Sequence, residues 1–402
     1  MKSLINNSFP VLASKQECTG CMACLDSCSA HAISSYNGPD GHKYVKVDNE
    51  TCIGCKKCEK ICALSRGYYG ENDLSKSYIY AAWNTNPSER ANATSGGVFA
   101  AIAHTVLKKN GVVVGATLDG RECYHILIRS VDELSSLQGS KYMASSMEGI
   151  YKTIEREIDK GIVLFSGVAC QCAGVLAYFE NHKNAKNLIT MDLICGGSPS
   201  KILLDKFYER YPDVEQIVSF REKDRYKLKV LKEKKIVAID EKSLPLDGFN
   251  CDMTSRLCCY DCKFAVAHRK TDFTIGDLWD YKIFPEEHAK GISTLIVHSD
   301  KGNQILDEKN IELHPVNWES CVRSCRRIVY GKRHIFSPRK KLIENAKSMS
   351  YEEFLKLYCI DMKPQDIRMF LFRIYRYLYS KVEFWIIDKK IKGIVSSINS
   401  NR

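Results

Sequence analysis

Eight cysteines near the amino terminus are spaced to hold iron and sulfur. Cys18, Cys21, Cys24 and Cys28 read C-x2-C-x2-C-x3-C, and Cys52, Cys55, Cys58 and Cys62 repeat that run 34 residues later. Two-residue gaps let three thiolates of one loop reach three corners of a cubane, while the fourth, beyond a turn, reaches the other cluster. That logic assigns Cys18, Cys21, Cys24 and Cys62 to one 4Fe-4S cluster, and Cys52, Cys55, Cys58 and Cys28 to a second. A pair of zinc sites is the competing reading, but zinc is commonly served by two C-x2-C pairs, not by a run of four cysteines. Ser29 and Ala63 stand where proline usually follows the fourth cysteine, which weakens the turn signal and removes no ligand.

Elements must position these thiols. Residues 32–36 and 44–47 read as two strands around the turn Asn37-Gly38-Pro39-Asp40-Gly41, as a ferredoxin fold requires. From about residue 77 strand and helix patterns alternate, which predicts a largely parallel sheet with its ligand edge beyond the carboxyl ends of the strands. Ser95-Gly96-Gly97 falls at the start of an apolar helix that Asn110-Gly111 ends. Free amide groups there favour a phosphate, although a helix cap and close packing explain the same residues. Two apolar strands end in Ser166-Gly167-Val168-Ala169-Cys170-Gln171 and in Cys195-Gly196-Gly197, placing two thiols at the expected edge. Cys258, Cys259 and Cys262 form a further group able to complete that set. In Cys170-Gln171-Cys172 the second cysteine reads as a packing neighbour more than as a redox partner. Cys123, Cys251, Cys321, Cys325 and Cys359 carry no assigned role.

The stretches Ala93-Thr94-Ser95-Gly96-Gly97-Val98-Phe99, Gly139-Ser140-Lys141-Tyr142, Phe165-Ser166-Gly167 with Cys170-Gln171, Asp192-Leu193-Ile194-Cys195 and Thr274-Ile275-Gly276-Asp277-Leu278-Trp279 resemble the coenzyme F-420 hydrogenase/dehydrogenase beta-subunit family over residues 80 to about 310. The resemblance implies FAD and a third 4Fe-4S cluster held by Cys170, Cys195, Cys259 and Cys262, with Cys258 the extra neighbour. It implies flavin pyrophosphate contacts at Ser95, Gly96 and Gly97, with Lys141 as a nearby positive charge. Asp277 and Trp279 resemble part of the family's site, and His125 is a candidate proton donor near the flavin, although a satisfied core or surface histidine is the more ordinary explanation of it.

The formal charge of +11 counts cysteine as neutral. Each 4Fe-4S cluster on four thiolates carries about −2, so three lower the total to about +5, and no nucleic-acid partner is needed to explain the basic balance. The bunched cysteines and the length of 402 residues argue against a disulfide scaffold. With no long apolar amino-terminal stretch and no apolar run of roughly 18 residues, the reading is a cytoplasmic protein. Residues 363–402 carry nine Lys or Arg against three Asp or Glu, and their aromatics suit a basic amphipathic helix, docked either on the protein itself or on an anionic membrane surface.

These features predict an α+β and α/β multidomain chain: a two-cluster ferredoxin domain over residues 1–75, a mixed α/β flavin-binding body divided into 76–215 and 216–345, and a helical tail over 346–402. The expected function is a relay in which the ferredoxin clusters exchange single electrons with a redox partner protein, and a third cluster passes them to FAD and a small-molecule acceptor. Two alternatives stand beside it. One is an electron-transfer subunit that docks to a separate catalytic protein, and the other an accessory redox protein of sulfur or polysaccharide metabolism. Nothing in the residues identifies coenzyme F-420 as substrate.

Overall fold

The computed structural model describes residues 9–70, 77–223, 227–239, 243–249, 254–329, 339–346, 348–358 and Lys389. Cys251, Cys359 and the expected tail helix within 363–402 lie outside the described residues. Among the described residues no helix is long and apolar enough to cross a membrane.

The cysteine duplication is visible in the backbone. Short helices α1 (Ala23–Asp26) and α2 (Lys57–Lys60) start at the same place in each cysteine run, after Met22 and Lys56 with φ of 62° and 57°. Gly20 and Gly54, two residues earlier in each loop, also take positive φ, 74° and 69°. Between the loops β1 (Ile33–Asn37) and β2 (Lys43–Val47) pair antiparallel, from Ile33 opposite Val47 to Asn37 opposite Lys43. This is the hairpin expected, offset by one residue at its edges.

The body is built on one mixed sheet. Its strands are β3 (Tyr78–Asn84), β4 (Val112–Asp119), β5 (Glu122–Ile128), β6 (Val163–Val168), β7 (Leu188–Leu193), β11 (Phe273–Asp277), β12 (Ser293–Val297) and β13 (Ile311–Pro315), in the order β13-β3-β12-β11-β7-β6-β4-β5. Strands β4, β6, β7 and β11 run parallel, as alternation predicts, while β5, β12, β3 and β13 add antiparallel pairings at both flanks. Strand β6 is buried along nearly its whole length because helices cover both faces of the parallel centre. Since β7 and β11 pair directly, the segments 76–215 and 216–345 share this sheet. A second, antiparallel sheet of β8 (Val214–Ser219), β9 (Leu228–Lys232) and β10 (Lys235–Ile239) has its own apolar core against helix α7 (Lys201–Arg210) and helices α10 (Arg339–Asn345) and α11 (Tyr351–Tyr358).

Helices α3 (Pro87–Asn92) and α4 (Val98–Lys108) follow β3. Helix α4 ends as its sequence predicts: Asn110 takes φ 57°, its amide donates to the Leu107 carbonyl at 3.0 Å, and the Gly111 amide donates to Val106 at 3.0 Å. Those are the two bonds of a Schellman stop. Helices α5 (Ile150–Ile158) and α6 (Ala169–Phe179) flank β6, and α8 (Asp300–Ile305) and α9 (Trp318–Ser324) complete the set.

The cysteine-rich module shares a core with this body. Met22, Ala23 and Ile61 pack with Val114, Phe165, Val175 and Tyr151. The Asp26 carboxylate accepts hydrogen bonds from the amides of Gly149 at 3.0 Å and Tyr151 at 3.2 Å, so a residue of the module caps helix α5 of the body. The Tyr151 hydroxyl donates to the Cys21 carbonyl at 2.7 Å. On the hairpin side, the Ser200 hydroxyl donates to the Asp40 carbonyl at 2.6 Å and Arg339 donates to the Asp40 carboxylate at 3.1 Å.

The module also sits close on α6 at Gly174, where an added Cβ would lie 3.1 Å from Cys21 Sγ and 2.8 Å from the Tyr151 hydroxyl. Alanine normally stabilises a helix by up to about 1 kcal/mol over glycine. Here Gly174→Ala is expected to destabilise by about 1–3 kcal/mol through overpacking, read from denaturant midpoints. Gly161→Ala, whose Cβ meets nothing nearer than 3.9 Å, serves as control and should stay within about 0.5 kcal/mol. Equal effects at both positions would refute the close approach.

Candidate functional site

Three groups of thiols stand in a row. Burial pushes the Cys21 and Cys24 thiols up, and Cys18 and Cys62 lie near enough to both to push further. The structure thus brings Cys62, not Cys28, to the first loop. Cys28 instead lines a small apolar cavity with Cys52, Cys55 and Cys58, beside Ala32, Ile33 and Val47. These are the same two groupings of residues that the crossed assignment names. Cys55 is exposed, and Ile53 beside it is 64% exposed, so the second set faces the surface.

The third group gathers at the carboxyl ends of β6 and β7. Cys170 opens α6, and burial first, then Cys262, Cys195 and Cys259, raise its thiol far above the ordinary value; Cys21 of the first set adds a smaller push. The Cys195 sulfur accepts from the Gly197 amide at 3.2 Å and the Cys259 sulfur from the Ser198 amide at 3.4 Å. Amides aimed at sulfur favour thiolate and suit cluster ligation. Cys258 sits to one side, its thiol bonded to Cys259 and facing Arg256. Among the described residues no three His, Cys, Asp or Glu side chains stand close enough to share one metal ion. A cubane places each thiolate on its own iron, so its four ligands need not meet at a point.

Beside the third group opens a cavity of about 630 Å³. Cys170, Cys195, Ser95, Gly97, Lys141 and Asp277 all line it, which unites most of the residues singled out from sequence. Arg221, Arg256, Lys43, Arg121 and Lys201 line it as well, against the acids Glu122 and Asp277, so cations outnumber acids. Size and sign suit an anionic dinucleotide.

Ser95 and Gly96 are spent inside the fold. The Ser95 hydroxyl donates to the Ile292 carbonyl at 2.9 Å, and the Gly96 amide donates to Ser293 Oγ at 3.0 Å. A Cβ at Gly96 would lie 2.5 Å from the Ala82 carbonyl, so close helix-to-sheet packing requires this glycine. Gly97, with φ 79°, precedes the first turn of α4 at the cavity wall. Lys141 Nζ donates to the carbonyls of Leu137 at 2.9 Å and Gln138 at 2.7 Å, and burial lowers its pKa to about 8.

Asp277 is held by Arg221 through two bonds of 2.8 and 2.5 Å. Burial alone would lower the Arg221 guanidinium, and the Asp277 carboxylate more than reverses that. Arg221 also donates to the Thr94 carbonyl at 2.8 Å and to the Tyr142 hydroxyl at 3.4 Å, and lies 5.1 Å from the Trp279 ring centre. One guanidinium from the end of β8 therefore ties together three of the sequence motifs, and reasoning from sequence missed it. Lys223, two residues on, holds the same loop by donating to the Ala93 carbonyl at 2.7 Å.

His125 stands apart. It is buried on β5, stacked on Phe165 with ring centres 5.3 Å apart, and it does not line the cavity. Burial lowers its pKa to about 4, and the backbone of Ser146 and Ser166 faces the ring without closing a hydrogen bond of ordinary geometry. A proton donor to a ligand in the cavity would need a path through the wall. Cys172, read from sequence as a packing neighbour, is fully buried with carbonyls at 3.6 and 3.8 Å. Cys123 and Cys325 line the cavity as protonated thiols, each raised to about 11 chiefly by burial.

Fold and site together define an iron-sulfur protein of the electron-transfer kind, with a two-loop cysteine module docked on an α/β body. The 4Fe-4S dicluster domain profile matches residues 17–64. The profiles for coenzyme F420 hydrogenase/dehydrogenase, beta subunit, match residues 79–152 with the amino-terminal part and 161–318 with the carboxyl-terminal part. The chain belongs to the coenzyme F420 hydrogenase/dehydrogenase beta-subunit family. It is 26% identical over 230 residues to a coenzyme F420-dependent sulfite reductase of Methanocaldococcus jannaschii, covering 52% of this chain and 34% of that protein. The match thus spans about a third of the relative's length. Among solved structures, the F420-reducing [NiFe] hydrogenase complex from Methanosarcina barkeri aligns with 72% of this chain and 92% of its own, at 16% identity and a TM-score of 0.46.

Two outcomes are expected at this site. Cys259→Ser should remove about four irons per chain while Cys258→Ser keeps them, as iron analysis of anaerobically purified protein will show; the reverse pattern would exchange their roles. Lys141 titrates near pH 8 when folded against an ordinary 10.5. Between those values the folded state binds fewer protons, so stability rises with pH from about 8 to 10.5 and is lost as pH falls back through 8. Lys141→Met should show a smaller rise than wild type across that window by chemical denaturation, and parallel curves would contradict the burial of its charge.

Proposed function

We propose that this chain is an iron-sulfur flavoprotein oxidoreductase whose cysteine module is the electron port of a flavin site in the large cavity. The observation that carries the reading is the position of Cys170. It neighbours Cys195, Cys259 and Cys262, feels the charge of Cys21 in the module, and lines the cavity. One side chain thus belongs to the third group, lines the cavity and lies within electrostatic reach of the module.

Cys18, Cys21, Cys24 and Cys62 would hold the inner module cluster, Cys52, Cys55, Cys58 and Cys28 the outer one, and Cys170, Cys195, Cys259 and Cys262 the third. Bound at these positions, the clusters supply one-electron transfer and FAD supplies the exchange between single electrons and hydride chemistry. The residues do the holding. Arg221 and Asp277 fix the loop carrying Thr94 and the edge of β11, and Lys141 presents positive charge where a pyrophosphate would lie. The amides at the start of α4, after Gly97, are the remaining phosphate donors, because Ser95 and Gly96 are already engaged. No side chain need act as a covalent nucleophile. Coenzyme F420 and sulfite, named for the relative, are acceptors to screen first.

A second reading is an electron-transfer subunit that works only when docked to a catalytic partner, favoured by the exposed Cys55 and Ile53 at the outer set. Anaerobic purification of the intact chain should yield about twelve irons and one FAD. A fully iron-loaded protein without flavin would defeat the flavoprotein reading. Flavin-bound protein that reduces no small acceptor alone but does so in a stable complex would select the second.

A further inference from the structure

Arg256 is a buried cation set between two of the thiol groups. It is 4% exposed. Its Nε donates to the Cys18 carbonyl at 2.6 Å, its Nη2 donates to the Lys43 carbonyl at 2.7 Å, and Nη2 also reaches Cys18 Sγ at 3.8 Å. The guanidinium lies 4.5 Å from the centre of the Tyr44 ring. Among the described residues no carboxylate pairs with it. An isolated buried charge costs several kcal/mol, and proteins seldom keep one without an anion close by. Among the described residues, the groups able to carry negative charge that act on it most are the thiols of Cys18 and Cys258 and the Tyr44 hydroxyl.

The cysteine loop is shaped around this side chain. Gly20, with φ 74°, would place a Cβ 2.7 Å from Arg256 Nη1, so only glycine lets the guanidinium rest on the loop between Cys18 and Cys21. The backbone of Arg256 belongs to the other centre. Its amide donates to the Ser198 carbonyl at 2.9 Å and its carbonyl accepts from the Cys259 amide at 2.9 Å. Arg256 is therefore built into the loop that carries the third thiol group while its charge is delivered to the first.

We propose that Arg256 sets the reduction potential of the cluster held by Cys18, Cys21, Cys24 and Cys62, making that centre the better electron acceptor between the outer set and the third. The inference rests on the reading that these cysteines hold a cluster. Accepting one electron adds one negative charge beside the guanidinium and takes up no proton. A fixed cation with an N–H directed at a ligand sulfur stabilises the reduced form more than the oxidised one, and so raises the potential. With clusters held at the three sets, the electron would come from the outer one and pass to the third, while Arg256 stays charged because a guanidinium does not titrate in this range.

The test is a redox titration of the anaerobically purified full chain, followed by EPR, for wild type, Arg256→Gln and Arg256→Lys. In Arg256→Gln one of the reduction steps should move to lower potential by about 59 mV or more, a tenfold fall in the reduced-to-oxidised ratio at fixed potential for a one-electron couple. The other steps should hold. Arg256→Lys keeps the charge but loses the fork, so the same step should shift in the same direction by less. If Arg256→Gln loses its iron, the Arg256→Lys titration decides alone. Unchanged potentials in an iron-loaded variant overturn the proposal. Wild-type protein with no cluster at the first set, seen as iron loading that Cys21→Ser leaves unchanged, overturns the underlying reading instead.

Discussion

The Cys21 side chain rests on the bare backbone of Gly174, and that contact sets the spacing of the whole path. Cys170 lies four residues before Gly174 on α6, so one face of one helix carries both the seat of the first cysteine loop and a thiol of the third group. Any side chain at 174 would push the two centres apart. The rest of the docking serves the same end: the Asp26 cap on α5, the Tyr151 hydroxyl on the Cys21 carbonyl, and the Ser200 and Arg339 bonds to Asp40 hold the module at its body. Rigid placement suits electron transfer, where the protein contributes distance and environment and the cofactors contribute chemistry.

Electrostatics then distinguishes the two ends of the cavity. At one end Arg221 is neutralised by Asp277 and acts as a strut between motifs. At the other, Arg256 has carbonyls, the Tyr44 ring and the Cys18 and Cys258 thiols about it, and among the described residues no carboxylate pairs with it. The first arrangement is a neutral pair. The second leaves a cation facing the cysteines, and negative charge on them would complete it.

Much of this was legible in the sequence, for identifiable reasons. Cysteine spacing depends on local loop geometry, so the duplicated cysteine module could be read directly. The sheet's parallel centre followed from alternation, and Cys170 and Cys195 followed from where such strands end. What local pattern could not reveal was pairing across long sequence separations. The antiparallel flanks depend on β3, from residue 78 onward, inserting between β12 and β13, and no periodicity encodes that. Arg221 and Arg256 sit in stretches without a recognisable spacing, although Arg256 lies three residues before Cys259 in a cysteine-rich loop, a signal available to a closer reading. Ser95-Gly96-Gly97 shows the opposite case, where a motif that looks like a phosphate cradle is partly a packing device, because a glycine needed for close approach and one needed for a ligand look alike in sequence.

The Asp26 cap has a consequence for how module and body hold together. Asp26 lies two residues after Cys24, inside the loop that wraps the inner cluster, and its carboxylate closes the amide end of α5 while Met22 and Ala23 fill the core beneath. Order in the first cysteine loop and order at the amide end of α5 are therefore coupled: whatever loosens one exposes the other, and a substitution on either side reaches across the boundary between module and body.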